Sequence, residues 1–568
     1  MRVALLVVVA SLSALAIGPA ASAAGSDQAV TYQIDVAHSG VQAEDQLVPP
    51  FGRRWTATLS GSVSYPLIAD GYVYVTVQGN GAQLYALRQS DGSTAWSASI
   101  PGTYSWASAA YDGGRVFAVN SDGVLRAFAG DTGALLWTTQ LPGQYMFTSP
   151  PTASGGVVYV SGAGLGGTLY AVDELTGGVL ATQSVENGDH SSPALSGKAV
   201  FVSYACNQTY AFALQSLTPI WHYSGPCEGG GGKTTVFANG RVYTRDATNG
   251  NLVLDAATGN QLGTYSASVA PAVDTTSVFT LSSGTLSSGS WSFTGDGKLV
   301  SAPILISTPS GEYVVVGSSA GNLYAVNAST GAQAWTGSAG AAIPAPDEQN
   351  AVPLTGLAAG QGLLVVPAGN TVSAYYGVTA ASVPGGLSAT GGNAQVSLSW
   401  STSNGTAPIT YNVWRGTTSG GETLLTGGLS TPSFVDKGVT NGTTYYYKVS
   451  ATNPAGTSGL SNEASARPAA AATVPGAPTL SATTAPRKGV GLSWNQPADG
   501  GSPITSYTIS RGTSSSGETT YVSVQCSTTS CSYTDTATKK NSTYYYNVAA
   551  VNSVGTGPVS NESSARSG

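Results

Sequence analysis

Four cysteines are the residues best suited to covalent or metal chemistry in this 568-residue chain. An even number of cysteines in a chain that begins like an exported protein predicts disulfides, and their positions favour pairing within domains. A four-thiolate zinc site is the alternative, but the cysteines lack the Cys-x-x-Cys spacing of such sites. We therefore predict two disulfides and no metal site, with Cys206 paired to Cys227 and Cys526 paired to Cys531.

Only three histidines are present, and one stands in a segment with the residue types of a hydrolytic triad. In Asp189-His190-Ser191, neighbours on an extended segment point to opposite faces, so the base and the nucleophile do not line up. The run EGGGGKT at residues 228–234 ends like a phosphate-binding loop, but that motif needs glycine at the place of Cys227. We therefore assign no catalytic residue.

The composition indicates which elements must position these residues. The chain has 74 glycines and only 9% charged residues, and short runs of Val, Thr, Ser and Tyr recur between turns. Such a chain favours many strands over amphipathic helices, so an all-β protein is predicted. The formal net charge of -7 provides no basic face for phosphates, and we expect no nucleic-acid partner.

The first residues have the layout of a secretory signal peptide. Arg2 precedes an apolar run over residues 3–17, and small residues suited to cleavage stand at Ala21-Ser22-Ala23. No later stretch approaches the roughly 18 apolar residues of a membrane span. We assign residues 1–23 to the signal peptide and expect a secreted, extracellular protein, with loose attachment to the cell surface as an option.

One phrase repeats along the chain with a period near 40 residues, and its clearest copy is AVNASTGAQAW at residues 325–335. A strand rich in β-branched and aromatic residues precedes each copy, as at residues 116–119. A period near 40 with about four short strands per unit is typical of propeller blades. The other copies begin at Ala86, Ala127, Ala171, Ala211 and Val253.

Eight blades are predicted when a degenerate unit around residue 291 and a last unit at residues 363–375 are added. The last unit lacks its own tryptophan strand, and residues 54–58 are predicted to supply it and remove an exposed sheet edge. In the phrase, glycine allows a positive φ at the turn, and tryptophan can seal one blade on the next. This sealing role is predicted for Trp55, Trp96, Trp137, Trp221, Trp291 and Trp335.

These repeats resemble the PQQ-binding-like β-propeller family, whose repeat ends A-x-D-x-x-T-G-x-x-x-W, and residues 32–40 are similar to that family's opening segment. The resemblance covers residues 30–377 and implies a propeller. The family includes quinone-dependent dehydrogenases, which carry vicinal cysteines, an acidic base and calcium ligands. This chain has no adjacent cysteines and no matching cluster. We therefore expect no cofactor, and a PQQ-dependent oxidoreductase is a less favoured alternative.

The C-terminal third contains two segments that align with each other. Trp400 corresponds to Trp494, and a tyrosine triplet follows at the same place in each segment. An early proline, a tryptophan on the second strand and a tyrosine-rich late strand resemble fibronectin type III modules, which implies two β-sandwiches. The modules cover residues 382–468 and 475–566, and a short proline-containing linker joins them.

A loop leads into the innermost strand of each unit, and residues in these loops should ring one mouth of the central channel. In the first four units the loops carry aromatic side chains suited to stacking on sugar rings or gripping an apolar side chain. Packing within a narrowing funnel is the alternative. The candidate binding residues are Tyr65, Tyr104, Trp106, Tyr145, Phe147 and His190.

Because no catalytic motif is found, the favoured function is a monomeric, secreted binding scaffold whose propeller loops recognise a protein or a glycan. The sandwich modules would act as spacers or as wall-binding units. A carbohydrate-active protein that binds or degrades polysaccharides is the first alternative, because similar modules accompany polysaccharide-degrading enzymes. Glycoside hydrolysis needs two opposed carboxylates, and no such pair stands out among the 28 acidic residues. An envelope-assembly scaffold is a further alternative.

Overall fold

The computed structural model describes residues 27–79, 82–226, 232–246, 250–348, 350, 352–487 and 489–568. The predicted signal peptide and Cys227 lie outside these residues, so the pairing of Cys206 with Cys227 stays a prediction. The chain divides into two compact units between Ala380 and Ala381. Within the described ranges, no helix is long and apolar enough to cross a membrane.

In the first unit, the described strands pair into eight sheets, which we number along the chain. Sheet 1 contains Leu67–Ala69, Tyr72–Val77, Ala82–Arg88 and Thr94–Ile100. Sheet 2 contains Ala107–Asp112, Arg115–Asn120, Val124–Ala129 and Leu135–Gln140. Sheet 3 contains Thr152–Ser154, Val157–Ala163, Gly167–Asp173 and Val179–Val185. Sheet 4 contains Ala194–Leu195, Ala199–Tyr204, Gln208–Ala213 and Pro219–Tyr223. Sheet 5 contains Val236–Ala238, Arg241–Thr244, Asn251–Asp255 and Gln261–Tyr265. Sheet 6 contains Ala272–Val273, Val278–Ser282, Thr285–Ser288 and Trp291–Phe293. Sheet 7 contains Ile304–Thr308, Gly311–Gly317, Asn322–Asn327 and Gln333–Ser338. Sheet 8 contains Ala358–Gly360, Leu363–Ala368, Thr371–Gly377 and Phe51–Thr58. A parallel strand, Val41–Gln42, adds to sheet 7, and a 3₁₀ turn, Ala205–Asn207, lies within sheet 4.

Burial differs between the inner and outer strands of a sheet. In sheet 3, every residue of Val157–Ala163 is buried, whereas Val179–Val185 consists mostly of exposed and half-buried residues. A continuous apolar run suits a strand that is covered on both faces, and an outer strand borders solvent. The predicted all-β class is confirmed by this architecture.

The last sheet combines strands from both ends of the first unit. Phe51–Thr58 pairs with Thr371–Gly377, and Trp55 lies opposite Ala374, so the strand predicted from residues 54–58 is present. The first strand of sheet 1 contacts the first strands of sheets 2 and 8. Sheet 8 therefore links the start of the unit to its end, while the arrangement of the sheets as eight blades of one ring stays a prediction.

Residues 27–42, here called the N-terminal segment, contact the eight sheets in numerical order. Most contacts are backbone hydrogen bonds to the first strand of a sheet, and Ala29 exchanges two such bonds with Ile68. Tyr32, Ile34 and His38 are buried, so the segment fills space between the inner strands. From sheet 1 to sheet 8, the bonding residues of the segment are Ala29, Val30, Thr31, Val36, Ala37, Ser39, Gly40 and Gln42.

The second unit contains two sandwiches of the same topology. Trp400 packs edge-on against Tyr411, and Trp494 packs in the same way against Tyr507, with ring centroids 5.5 Å apart in both pairs. The first sandwich contains Ser388–Gly392, Gln395–Ser399 and Ser433–Asp436 facing Thr410–Gly416, Thr423–Leu429, Tyr445–Asn453, Gly456–Thr457 and Ala464–Ala466. The second contains Leu480–Ala485, Gly489–Asn495 and Ser530–Asp535 facing Ser506–Gly512, Thr519–Val524, Thr543–Val551, Thr556–Val559 and Ser563–Arg566. The predicted disulfide between Cys526 and Cys531 is present.

Candidate functional site

The predicted mouth residues divide into a buried and an exposed group. Tyr104 and Tyr145 have 64% and 63% of their surface exposed. His190 is half-buried. The remaining three are at most 2% exposed and belong to the hydrophobic core, namely Tyr65, Trp106 and Phe147.

Phe147 lies in a slot between two glycines, Gly123 in the turn before Val124–Ala129 and Gly162 in the strand Val157–Ala163. A Cβ atom on Gly123 would come within 2.1 Å of the ring, and one on Gly162 within 2.4 Å. Trp106 belongs to the same core cluster as Phe147. Both side chains therefore pack between strands, and in this structure they present no surface for a ligand to contact.

The two exposed tyrosines stand on consecutive loops whose backbone is held by hydrogen bonds. The amide of Thr103 donates to the Asp122 carboxylate at 2.7 Å, and the amide of Tyr104 donates to the Ser121 hydroxyl at 3.3 Å. The amide of Tyr145 donates to the carbonyl of Ala163 at 3.2 Å. These bonds fix the loops while both rings remain open to solvent.

The ring of Tyr145 rests on glycine backbone. A Cβ atom on Gly164 would come within 2.7 Å of the ring, and the φ of Gly164 is +118°, which side chains rarely adopt. The side chain of Gln144 closes the same loop, since it donates to the Leu165 carbonyl at 3.1 Å and accepts from its amide at 2.8 Å. Glycine at position 164 therefore allows the tyrosine to lie flat with its other side exposed.

A buried ion pair joins the loops of sheets 5 and 8. Arg245 follows Arg241–Thr244, and its Nη2 lies 2.7 Å from Oε2 of Glu348, which precedes sheet 8. The amide of Thr234 donates to Oε1 of the same carboxylate at 3.0 Å. Nε and Nη1 of Arg245 are buried without a hydrogen-bond partner among the described residues. Sequence reasoning missed this pair, because its members are far apart in the chain and belong to no motif.

The charges of this pair affect a tyrosine of the N-terminal segment. Burial raises the pKa of the Tyr32 hydroxyl, and the carboxylate of Glu348 raises it further. The hydroxyl of Tyr32 is buried without a hydrogen-bond partner in the part of the chain that the structure describes. Tyr32 is therefore an uncharged hydroxyl group beside a charged pair.

The residues with triad chemistry are not arranged as a triad. Nε2 of His190 lies 3.2 Å from the Asp189 carboxylate. The Ser191 hydroxyl instead accepts a 3.4 Å hydrogen bond from the amide of Ser203. Burial raises the pKa of Asp189, and the imidazole of His190 acts in the opposite direction. Across the described ranges, no group of three or more His, Cys, Asp and Glu residues is placed to hold a metal ion.

The repeat tryptophans join consecutive sheets. The indole of Trp96 donates to the carbonyl of Gly130 in sheet 2 at 2.8 Å, and its ring lies over Gly133 of the same turn. Trp335 instead packs against Phe51 and Tyr375 in sheet 8, with centroid distances of 5.0 and 5.9 Å. The tryptophans that donate as Trp96 does are Trp55, Trp137, Trp221 and Trp291.

Comparison with known proteins identifies the repeat and one sandwich. Residues 44–163 and 144–285 match the family described as outer membrane protein assembly factor BamB, and residues 475–566 match the fibronectin type III domain. Among solved structures, a quinohemoprotein alcohol dehydrogenase from Comamonas testosteroni is 14% identical with a TM-score of 0.49, and covers 62% of this chain and 80% of its own. BamB from Moraxella catarrhalis is 16% identical with a TM-score of 0.43, and covers 57% of this chain and 99% of its own.

Two sequence relatives are enzymes of much greater length. Exoglucanase B from Cellulomonas fimi is 32% identical over 188 residues, which is 31% of this chain and 16% of that protein. An amylopullulanase from Thermoanaerobacterium thermosulfurigenes is 38% identical over 94 residues, which is 16% of this chain and 5% of that protein. The chain therefore combines PQQ-like repeats of the BamB type with a fibronectin type III domain.

Proposed function

We propose that this chain is a secreted, non-catalytic binding protein whose propeller recognises a glycan through Tyr104 and Tyr145. The observation that carries the proposal is the exposure of these two rings on fixed loops, while the neighbouring loop aromatics are buried. Tyrosine combines an apolar ring face with a polar hydroxyl, and it loses little conformational entropy when a ligand stacks on it. Both properties suit the recognition of sugar rings.

The relatives support a carbohydrate ligand. Both are named as carbohydrate-active enzymes, and the matched share of each is small, so the likeness suggests a shared environment more than a shared reaction. In this proposal the fibronectin type III modules act as spacers or as wall-binding units. The disulfide between Cys526 and Cys531 is consistent with an oxidising, extracellular location.

A protein partner is the second candidate, and a row of exposed aliphatic side chains favours it. These residues stand on the outer strands of sheets 2 to 5, next to or within two residues of the repeat tryptophan position. Large exposed apolar patches mark interaction surfaces on soluble proteins. The row contains Leu135, Leu136, Val179, Leu180, Ile220 and Leu262.

The test is binding of the mature chain to insoluble cellulose and starch. Replacing both tyrosines, Tyr104→Ala with Tyr145→Ala, should weaken binding about tenfold, because each stacked ring contributes about 0.5–1.5 kcal/mol beyond the area it buries. The matched control is Leu135→Ala with Leu262→Ala, which removes two side chains of similar exposure from the outer strands. Equal binding by the tyrosine variant and the wild type would exclude these rings as the site, and a loss in the control alone would favour the aliphatic row.

A further inference from the structure

Two of the sheets lack the repeat tryptophan, and the fold treats the two gaps differently. The register of the outer strands identifies the positions, since Ala181 lies opposite Ala171 and Gly263 lies opposite Val253, as Trp96 lies opposite Ala86. Beside Ala181, the next sheet supplies a buried leucine, Leu217, that packs into the gap. Beside Gly263, no residue in the described part of the chain replaces the indole.

The space that a side chain at position 263 would occupy is empty. A Cβ atom added to Gly263 would meet no atom within 4 Å. The facing sheet contributes only the short connection between Thr285–Ser288 and Trp291–Phe293, which is too brief to contain the Thr-Gly turn of other repeats. A cleft of about 530 Å³ lies between sheets 5 and 6, and its lining includes Thr264 and Val253, the residue opposite Gly263. Its volume falls within the roughly 300–1,000 Å³ of small-ligand sites.

The lining of the cleft is rich in hydroxyl groups and poor in charge. Tyr243 and Tyr265 lie edge-to-face at one side, with ring centroids 5.7 Å apart. Among the described residues of the lining, Arg241 is the one that carries a charge, and none is a carboxylate. The hydroxyl-bearing residues between the two sheets are Thr264, Ser266, Thr280, Ser282, Thr285 and Ser287.

Several of these hydroxyls already form pairs across neighbouring strands. The Thr280 hydroxyl lies 3.2 Å from that of Ser287, and the Ser266 hydroxyl donates to that of Ser282 at 3.3 Å. A hydroxyl carries one donor and two acceptor positions, so each paired group can still bond to a ligand. The lining therefore offers both donors and acceptors to an uncharged partner.

We propose that the cleft between sheets 5 and 6 is a second binding site that takes one or two neutral sugar rings. The hydroxyl groups would bond the sugar hydroxyls, and the half-buried ring of Tyr265 and the flanking Val253 and Val278 would contact the apolar faces of the rings. The ligand class rests on the proposed function, whereas the site is independent of Tyr104 and Tyr145. A cation site does not fit this lining, because its one charged residue among those described is Arg241.

Gly263→Trp tests the cleft, because it restores the residue of the other repeats and fills the space. Calorimetric titration of the mature chain with cellotetraose and with maltotetraose supplies the affinity. We expect the substitution to weaken tetrasaccharide binding at least tenfold while the chain stays folded by near-ultraviolet circular dichroism. Leu262→Trp is the matched control, since Leu262 is 54% exposed and does not line the cleft, and its affinity should stay within about twofold of wild type.

A second variant decides the matter if Gly263→Trp does not fold. Thr280→Val with Ser287→Ala adds no bulk to the lining and removes two hydroxyls, and it should weaken binding about fivefold or more for the lost hydrogen bonds. Unchanged affinity in a folded cleft variant would overturn this site, and so would the absence of binding by both tetrasaccharides. If tetrasaccharide binding is lost in Tyr104→Ala with Tyr145→Ala but not in the cleft variants, the proposed function is supported and the cleft is rejected as a site. If binding is lost in the cleft variants but not in the tyrosine variant, the cleft is supported and the tyrosine site is rejected.

Discussion

The junction between sheets 1 and 2 and the junction between sheets 3 and 4 solve the same packing problem with opposite residues. At the first, the large ring of Trp96 lies over Gly133, where an added Cβ atom would come within 2.5 Å of the ring. At the second, the outer strand carries the small Ala181, and the turn carries the buried Leu217 in place of glycine. The comparison shows that these two junctions fill the same space, although the large and the small residue have exchanged positions.

The backbone of the two turns is the same despite the exchange. The amide of Gly133 donates to the carbonyl of Ala129 at 2.8 Å, and the amide of Leu217 donates to the carbonyl of Ala213 at 3.1 Å. The φ angles are +71° and +51°. A leucine in this left-handed region costs about 1–2 kcal/mol, and full burial of its side chain contributes about 1.5–3 kcal/mol, so burial offsets the strain.

Placing leucine at the glycine position of the first junction should have the largest effect on the free energy of unfolding. Gly133→Leu adds a side chain where Trp96 already fills the space, and at a positive φ, so we expect a loss of at least about 3 kcal/mol in the free energy of unfolding. Chemical denaturation of the mature chain measures it. Gly114→Leu is the matched control, because its φ is +80° and an added Cβ atom would meet nothing within 4 Å. Equal losses in both variants would mean that backbone strain alone, and not the junction, explains the effect.

Removing the leucine from the other junction should have a smaller effect. Leu217→Gly relieves the backbone strain but leaves a cavity between sheets 3 and 4, and the net loss should be about 1–3 kcal/mol in the free energy of unfolding. The same denaturation experiment measures it. A gain in stability would show that Leu217 is tolerated in its turn and does not support the junction.

Converting the second junction fully into the first should have the smallest net effect. Ala181→Trp alone should destabilise the chain, because Leu217 occupies the space that the indole needs. Combined with Leu217→Gly, the unfolding free energy should return to within about 1 kcal/mol of wild type, which gives a favourable coupling in a double-mutant cycle. If the losses of the two single variants simply add, then the two positions do not share one volume.

Much of the fold could be predicted because the repeat phrase contains its own geometry. The period places the strands, the Thr-Gly step places the turn, and the register puts each tryptophan where the next sheet needs it. The disulfide between Cys526 and Cys531 was also predictable, since the two cysteines lie five positions apart in one module. The spacing of residues along the chain is therefore enough to predict these strands, turns and the disulfide.

The candidate sites could be predicted less well. The loops of Tyr104 and Phe147 were both predicted at the mouth, yet one ring is exposed and the other lies between Gly123 and Gly162. An aromatic residue type serves either role, so its type alone does not separate them. The cleft had a signal in the sequence, because Gly263 stands at the tryptophan position of its repeat.

Sequence reasoning was enough to predict the strands, the turns, the repeat and the two kinds of domain, because these depend on residues within a few tens of positions of one another. The three-dimensional packing was needed to see which aromatic rings reach solvent, that Arg245 pairs with Glu348, and that one lost tryptophan is replaced by Leu217 while the other leaves a cleft. The exposure of a side chain and the space around it depend on which residue of the neighbouring sheet packs against it. That residue cannot be identified from the position of the side chain in the sequence.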